Sequence, residues 1–242
     1  NGKFCCETQR HGSTSRRNER EAHLARVLLD EFNSQIGESK KNSAPEEWHE
    51  HHMLRHLDRD GRLPVAFITF YADQKRAFRE FANEGMPWTA MRSRWEHLTV
   101  RADTVDKFQG GERPVVIVSM VVSGNLKAEQ GQVERFESEV ADLIDSPAKM
   151  AERNEFRPGR IAGIKTNFIS SPERINVAFS RAQNLLVILG NRYSLNRVAP
   201  ESGTRGGVKI TRDDGSTTRR AIYRQIQDKI GEGGMVDGRD LL

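Results

Sequence analysis

"TVDKFQGGERPVVIVSMVVSG", residues 104–124, sets a polar, glycine-bearing turn directly ahead of a nearly unbroken run of β-branched residues. The run "PVVIVSMVV" (114–122) reads as a central, buried strand. "HLTVRAD" (97–103) reads as the strand that leads into the turn. "VAFITF" (65–70), after Pro64, and "LLVILGN" (185–191) read as two more buried strands. Helical patterns lie between them. "NEREAHLARVLLDEF" (18–32) repeats its apolar residues at close to 3.6, with Asn18 as the cap. A second helix is expected from about 73 to 83. "SPERINVAFSRAQ" (171–183) opens with Ser171 before Pro172, a helix-start signal, and a last helix within 219–234 stops at glycine. Strands alternating with helices predict an α/β fold, a mostly parallel sheet with helices on both faces. Ligands gather at the carboxyl ends of strands in such sheets. The 104–112 turn follows the 97–103 strand, so it lies where a functional loop belongs.

The chain has 242 residues, 36% hydrophobic and 30% charged, with a net charge of +4. That length suits one large domain with its own core. A mildly basic balance permits a nucleic-acid partner without demanding one. The longest apolar runs, 115–122 and 185–190, fall far short of the roughly 20 residues a membrane helix needs, so no membrane partner is expected. The two cysteines are adjacent, Cys5 and Cys6, a usage that fits a reducing, intracellular compartment. The start, "NGKFCCETQR", carries no signal or transit pattern and reads as the cut end of a longer chain.

Residues 125–165 change character. Their charged, helical pattern interrupts two core-like segments and reads as a helical insertion within a single 1–242 domain, open to a protein partner. Two lookalikes fail. "GRIAGIKT" (159–166) approaches the phosphate-loop pattern G-x-x-x-x-G-K-[ST], but Ile164 stands at the second glycine. "HEHHMLRH" (49–56) has Met53 where a zinc H-E-x-x-H motif needs His. No metal site is expected. On spacing alone, 104–112 reads equally as an ordinary connection, and Arg181 as a surface arginine.

Three stretches in order change that balance. "AFITFYADQKRAF" resembles the fourth motif of superfamily 1 helicases, I-T-P-Y-x-x-Q, through Thr69, Tyr71 and Gln74, with Phe70 in place of Pro. "TVDKFQGGE" is similar to the fifth, [ST]-V-D-x-F-Q-G-x-E, at every defined position. "ERINVAFSRAQNLLVILGN" resembles the sixth, R-x-N-V-A-[LF]-[ST]-R-A-[RK], through Arg174, Asn176, Ser180 and Arg181, with Gln183 where the family has a second basic residue. The branch it looks like contains the nonsense-mediated-decay helicase and senataxin. "NEREA", with Asn18 and Glu21, extends the likeness upstream.

The resemblance implies a RecA-like second motor domain with a P-loop NTPase fold that lacks its own phosphate loop. It implies Arg181 as an arginine finger, Glu112 on the nucleotide ribose, Gln109 beside the nucleotide, and Gly110 letting the backbone approach the phosphates. It implies Thr69 and Thr104 on the phosphates of a single strand, with Asn176, Tyr71 and Gln74 in the same groove. ATP and Mg2+ would be held mainly by an upstream RecA-like domain of the same protein, and movement would run 5′ to 3′. The chemistry agrees: phosphoryl transfer needs positive charge aimed at oxygens that gain negative charge. The competing expectation is a nucleic-acid-binding or scaffold module that keeps the fold without turnover. A third is a helicase that feeds an appended nuclease or other effector.

Overall fold

The computed structural model describes residues 15–83, 94–108, 111–122, 169, 171–190, 208–220 and 222–236. The expected insertion at 125–165 and two expected nucleotide residues, Gln109 and Gly110, lie outside them.

The described elements are α1 (Glu19–Asn42), β1 (Leu63–Thr69), α2 (Ala72–Ala82), β2 (Leu98–Thr104), β3 (Arg113–Ser119), α3 (Pro172–Phe179), β4 (Ala182–Leu189), β5 (Val208–Thr211), β6 (Thr217–Arg220) and α4 (Ile222–Ile230). Short 3-10 turns include Leu54–His56 and Val105–Lys107. The main sheet runs β2-β1-β3-β4 with every pair parallel. β5 and β6 form a separate antiparallel hairpin, closed at an Asp214-Gly215 turn with Gly215 at φ 77.

The pleat divides the strand residues between two cores. On β1 and β3, Val65, Phe67, Val115 and Ile117 face Ala22, Ala25 and Leu29 of α1 and Ala77 and Phe78 of α2. Ala66, Ile68, Val116 and Val118 face Ile175 and Ala178 of α3 and Tyr223 of α4. Both faces are covered, which is why β1 and β3 carry apolar residues without alternation. Phe67 and Phe78 stack with centroids 4.1 Å apart. Each such fully buried side chain contributes about 1.5–3 kcal/mol. This is the mostly parallel α/β arrangement expected of a RecA-like domain.

Local signals set the helix starts. The Asn18 side chain accepts from the Glu21 N–H, and Ser171 accepts from the Arg174 N–H with Pro172 in the first turn, each satisfying an orphan donor. Three boundaries differ from expectation. α1 continues ten residues past Phe32 because Ile36 and Gly37 are also buried, Gly37 against the His97 ring. β3 ends at Ser119, because Val121 turns to φ 68. α3 ends at Phe179 instead of reaching 183, because Ala182 pairs in register with Arg113 and the ladder claims the residues that follow.

Candidate functional site

The strand register sorts the expected site residues to the two ends of the sheet. At the carboxyl end, Thr104 of β2 lies beside Thr69 of β1, and Thr69 beside Ser119 of β3. At the amino end, Arg113 lies beside Ala182. Seven residues of β3 separate these ends, about 20 Å at ~3.3 Å per residue. The segment 104–112 therefore does not form one local turn. It leaves β2 at the carboxyl end, makes a 3-10 turn over Val105–Lys107, and reaches β3 at the opposite end.

The carboxyl end is built around a buried polar hub. Glu21 on the first turn of α1 accepts from the Ser119 hydroxyl at 2.6 Å and from the Val121 N–H at 2.9 Å. Gln74 on α2 donates to the Ser119 hydroxyl at 2.9 Å and to the Asn18 carbonyl at 3.0 Å, while its carbonyl accepts from the Asn18 N–H at 2.6 Å. The Asn18 amide donates at 3.4 Å to both the Glu21 carboxylate and the Val121 carbonyl. Glu21 is 4% exposed, and Gln74 and Ser119 are fully buried. Thr69 and Tyr71 are buried as well, and the Tyr71 N–H donates to the Thr69 hydroxyl at 3.4 Å. Of the five residues expected along a strand groove, Thr69, Tyr71 and Gln74 thus point into protein. Only Thr104, half-buried, and Asn176, exposed on α3, reach the surface. No hydrogen bond joins Asn176 to Thr104 among the described residues.

Charge around Thr104 is largely paired. Burial alone would raise the Asp103 carboxyl, but the Lys75 ammonium, the Thr104 N–H and Arg101 outweigh it and hold the group below its ordinary value. The Lys75 contact is 3.1 Å. Asp106 accepts two bonds from Arg174, at 2.8 and 3.3 Å, which ties the fifth-motif stretch to the first turn of α3. Tyr223 of α4 closes this side of the core. Burial, with Tyr71 nearby, pushes its phenol up, and its hydroxyl donates to the Ile169 carbonyl.

The amino end holds Glu112 and Arg181, two of the four residues expected at a nucleotide. Arg181 lies in the turn between α3 and β4, not on the helix as the sequence pattern predicts. Its carbonyl accepts from the Arg113 N–H at 2.9 Å, and its Nε donates to the Val177 carbonyl at 3.2 Å. Both ends of the residue are anchored, while its two Nη groups have no acceptor among the described residues. Glu112 is exposed, and its carboxylate accepts from Gln183 at 3.3 Å. The departure at Gln183 therefore exchanges a cation for a neutral amide that holds Glu112. Arg113 donates back to the Glu112 carbonyl at 2.7 Å. The arrangement presents a carboxylate and two guanidinium groups, suited to a sugar hydroxyl and to phosphate oxygens.

Sequence reasoning missed Ser119, Arg113 and the part played by Gln183. Ser119 reads as one more strand residue, and only the β3–β4 register brings the other two together. Among the described residues no group of three or more His, Cys, Asp or Glu could hold a metal ion. No described helix is long and apolar enough to cross a membrane.

A comparison with curated proteins finds no match. A comparison with protein families finds that residues 3–193 match the model described as an AAA domain, a domain found in superfamily 1 helicases of the kind that includes senataxin. The match spans both ends of the sheet, the α1 cap and all four strands of the main sheet. The chain thus belongs to the AAA domain family and has the make-up of a helicase-like, nucleotide-dependent motor domain.

Proposed function

We propose that the chain is the second motor domain of an ATP-dependent nucleic-acid helicase or translocase, with Arg181 as its arginine finger. The observation that carries this reading is the state of Arg181. Its backbone is tied to β3 and its Nε to α3, which leaves two Nη donors without an acceptor among the described residues, at the end of the sheet where Glu112 also lies. A preorganised guanidinium of this kind stabilises charge developing on a transferred phosphoryl group and contributes a factor of about 10³–10⁵ in rate. The sequence contains no G-x-x-x-x-G-K-[ST] stretch, so the phosphates and Mg2+ would be held by another RecA-like domain facing this end of the sheet. Glu112 accepts a ribose hydroxyl, and Gln109 and Gly110 keep the nucleotide roles that the resemblance implies. Mg2+ supplies charge neutralisation between the phosphates when bound.

At the opposite end, Thr104 contacts the phosphates of a single strand, with Asn176 as a further contact, while Thr69, Tyr71 and Gln74 shape the edge from beneath. Contacts of this kind position a nucleic acid without reading its sequence. The segment 104–112 and the Asp106–Arg174 pair join the two ends physically, so closure on nucleotide moves the strand edge, with 5′ to 3′ travel.

The test is ATP hydrolysis by the full-length protein with and without single-stranded DNA and single-stranded RNA. Stimulation by either polymer supports the motor reading and names its substrate. Tight strand binding with no hydrolysis contradicts it and favours the scaffold.

A further inference from the structure

The buried hub at the carboxyl end of the sheet does more than fill space. A carboxylate buried this deeply is costly unless every lone pair is used, and apolar residues of similar volume often serve a core as well or better. Glu21 uses its oxygens on the Ser119 hydroxyl, the Val121 N–H and the Asn18 amide. The Val121 backbone is strained. It is a fully buried, β-branched residue at φ 68, a conformation that is costly for such a side chain and persists only where surroundings enforce it. Glu21 holds its N–H and Asn18 its carbonyl, so the strain is enforced from α1.

The same hub reaches α2. Gln74 has spent its amide on Asn18 and Ser119, so it cannot also bind a strand directly. It lies one turn from Tyr71, whose N–H donates to the Thr69 hydroxyl, and Thr69 is the register partner of both Ser119 and Thr104. The β1–β2 and β1–β3 ladders set the register of the Thr104–Thr69–Ser119 edge, and this cluster of hydrogen bonds holds its Ser119 end, with Glu21 as its carboxylate among the described residues.

We propose that Glu21 is a positioning residue for the strand-binding edge: through Ser119 and Gln74 it holds the end of β3 and the start of α2 against which Thr69 and Thr104 are set, and through Val121 it fixes the direction in which the chain leaves β3. This rests on the strand-contact part of the function proposed above. The carboxylate, not merely a polar residue of that size, is required. A glutamine whose carbonyl kept the Ser119 and Val121 bonds would turn its NH2 toward the Asn18 amide, donor against donor. Asn18 cannot flip to relieve this, because its carbonyl oxygen caps the residue-21 N–H.

The experiment uses the full-length protein and a fluorescein-labelled oligo-dT or oligo-U strand. Anisotropy reads strand affinity, hydrolysis reads the ATP concentration for half-maximal rate, and thermal melting reads stability. For Glu21→Gln the expected result is about tenfold weaker strand binding, the equivalent of one hydrogen bond to a charged group, with half-saturation by ATP unmoved because that site is at the far end of the sheet. Adding Asn18→Asp to the Glu21→Gln chain gives the introduced amide an acceptor but takes the donor from the Val121 carbonyl, so it restores part of the affinity and not all of it. Ser119→Ala removes the hydroxyl that joins Glu21 to Gln74 with little change in volume, and serves where Glu21→Gln does not fold; it weakens strand binding in the same direction.

Lower melting temperature with unchanged strand affinity in the folded variants would overturn the proposal and reduce Glu21 to a structural group, leaving the motor reading intact. Weaker strand binding by the variants, in a protein whose wild type shows no strand-stimulated hydrolysis, would sustain the proposal and sink the motor reading. No strand binding by the wild type would end both.

Discussion

Val121 offers a test of the backbone geometry that needs no ligand. At an ordinary buried strand position, glycine is a worse replacement for valine than alanine is. It loses one more carbon, about 0.8 kcal/mol, and carries an extra backbone entropy cost of about 0.5–1 kcal/mol, so alanine leads by about 1.5 kcal/mol. Val121 sits at φ 68, where an L side chain costs about 1–2 kcal/mol that glycine escapes. The two differences cancel or reverse. Val121→Ala is expected to lose about 1.5 kcal/mol for its two methyl groups together with a cavity cost, and Val121→Gly is expected to be as stable as Val121→Ala or more so. Urea unfolding followed by tryptophan fluorescence measures both, since Trp95 is buried in the core. If the alanine variant proves more stable than the glycine variant by about 1.5 kcal/mol, the strained exit from β3 does not exist and the hub argument loses its support.

Other consequences follow from single contacts. A Cβ at Gly37 would meet the His97 ring at 2.7 Å, so Gly37→Ala is expected to destabilise despite a helix-propensity gain of about 1 kcal/mol. In a His97→Ala background the same change should stabilise, a reversal that a thermal-melt cycle would reveal. The Arg174–Asp106 pair is half exposed, at 32% and 53%, so a double-mutant cycle should give a coupling of only about 0.5–1 kcal/mol that shrinks with salt. Asp103 is held below its ordinary 3.8, so its contribution is complete above that pH and is lost as pH falls through the lower folded value. Asp103→Asn should therefore cost most stability at neutral pH, and the gap between the two proteins should close in acid. A gap that widened in acid would reverse the assigned sign.

Much of the sheet was legible because β1 and β3 are covered on both faces and their apolar runs admit no other role. Helix starts were legible where caps are local, at Asn18 and Ser171. Helix ends were not. α1 runs on through polar residues because Ile36 and Gly37 find packing far away in sequence, and α3 stops early because Arg113 recruits Ala182 into the ladder. The motif residues were visible one by one, yet their burial was not. Nothing local separates a glutamine that binds a strand from Gln74, whose partners lie 45 and 56 residues away. Ser119 depends on a carboxylate 98 residues distant. Arg181 and Glu112 were paired through resemblance, and the β3–β4 register supplies the physical reason they lie at the same end of the sheet.

The account turns on Arg181. The direct measurement is strand-saturated ATP hydrolysis by the full-length protein carrying Arg181→Ala, with strand binding read in parallel. The account predicts a loss of about a thousandfold or more in rate, with strand affinity retained because the proposed strand edge lies at the other end of the sheet. Normal strand-stimulated hydrolysis by the variant would contradict it and return Arg181 to an anchored surface arginine.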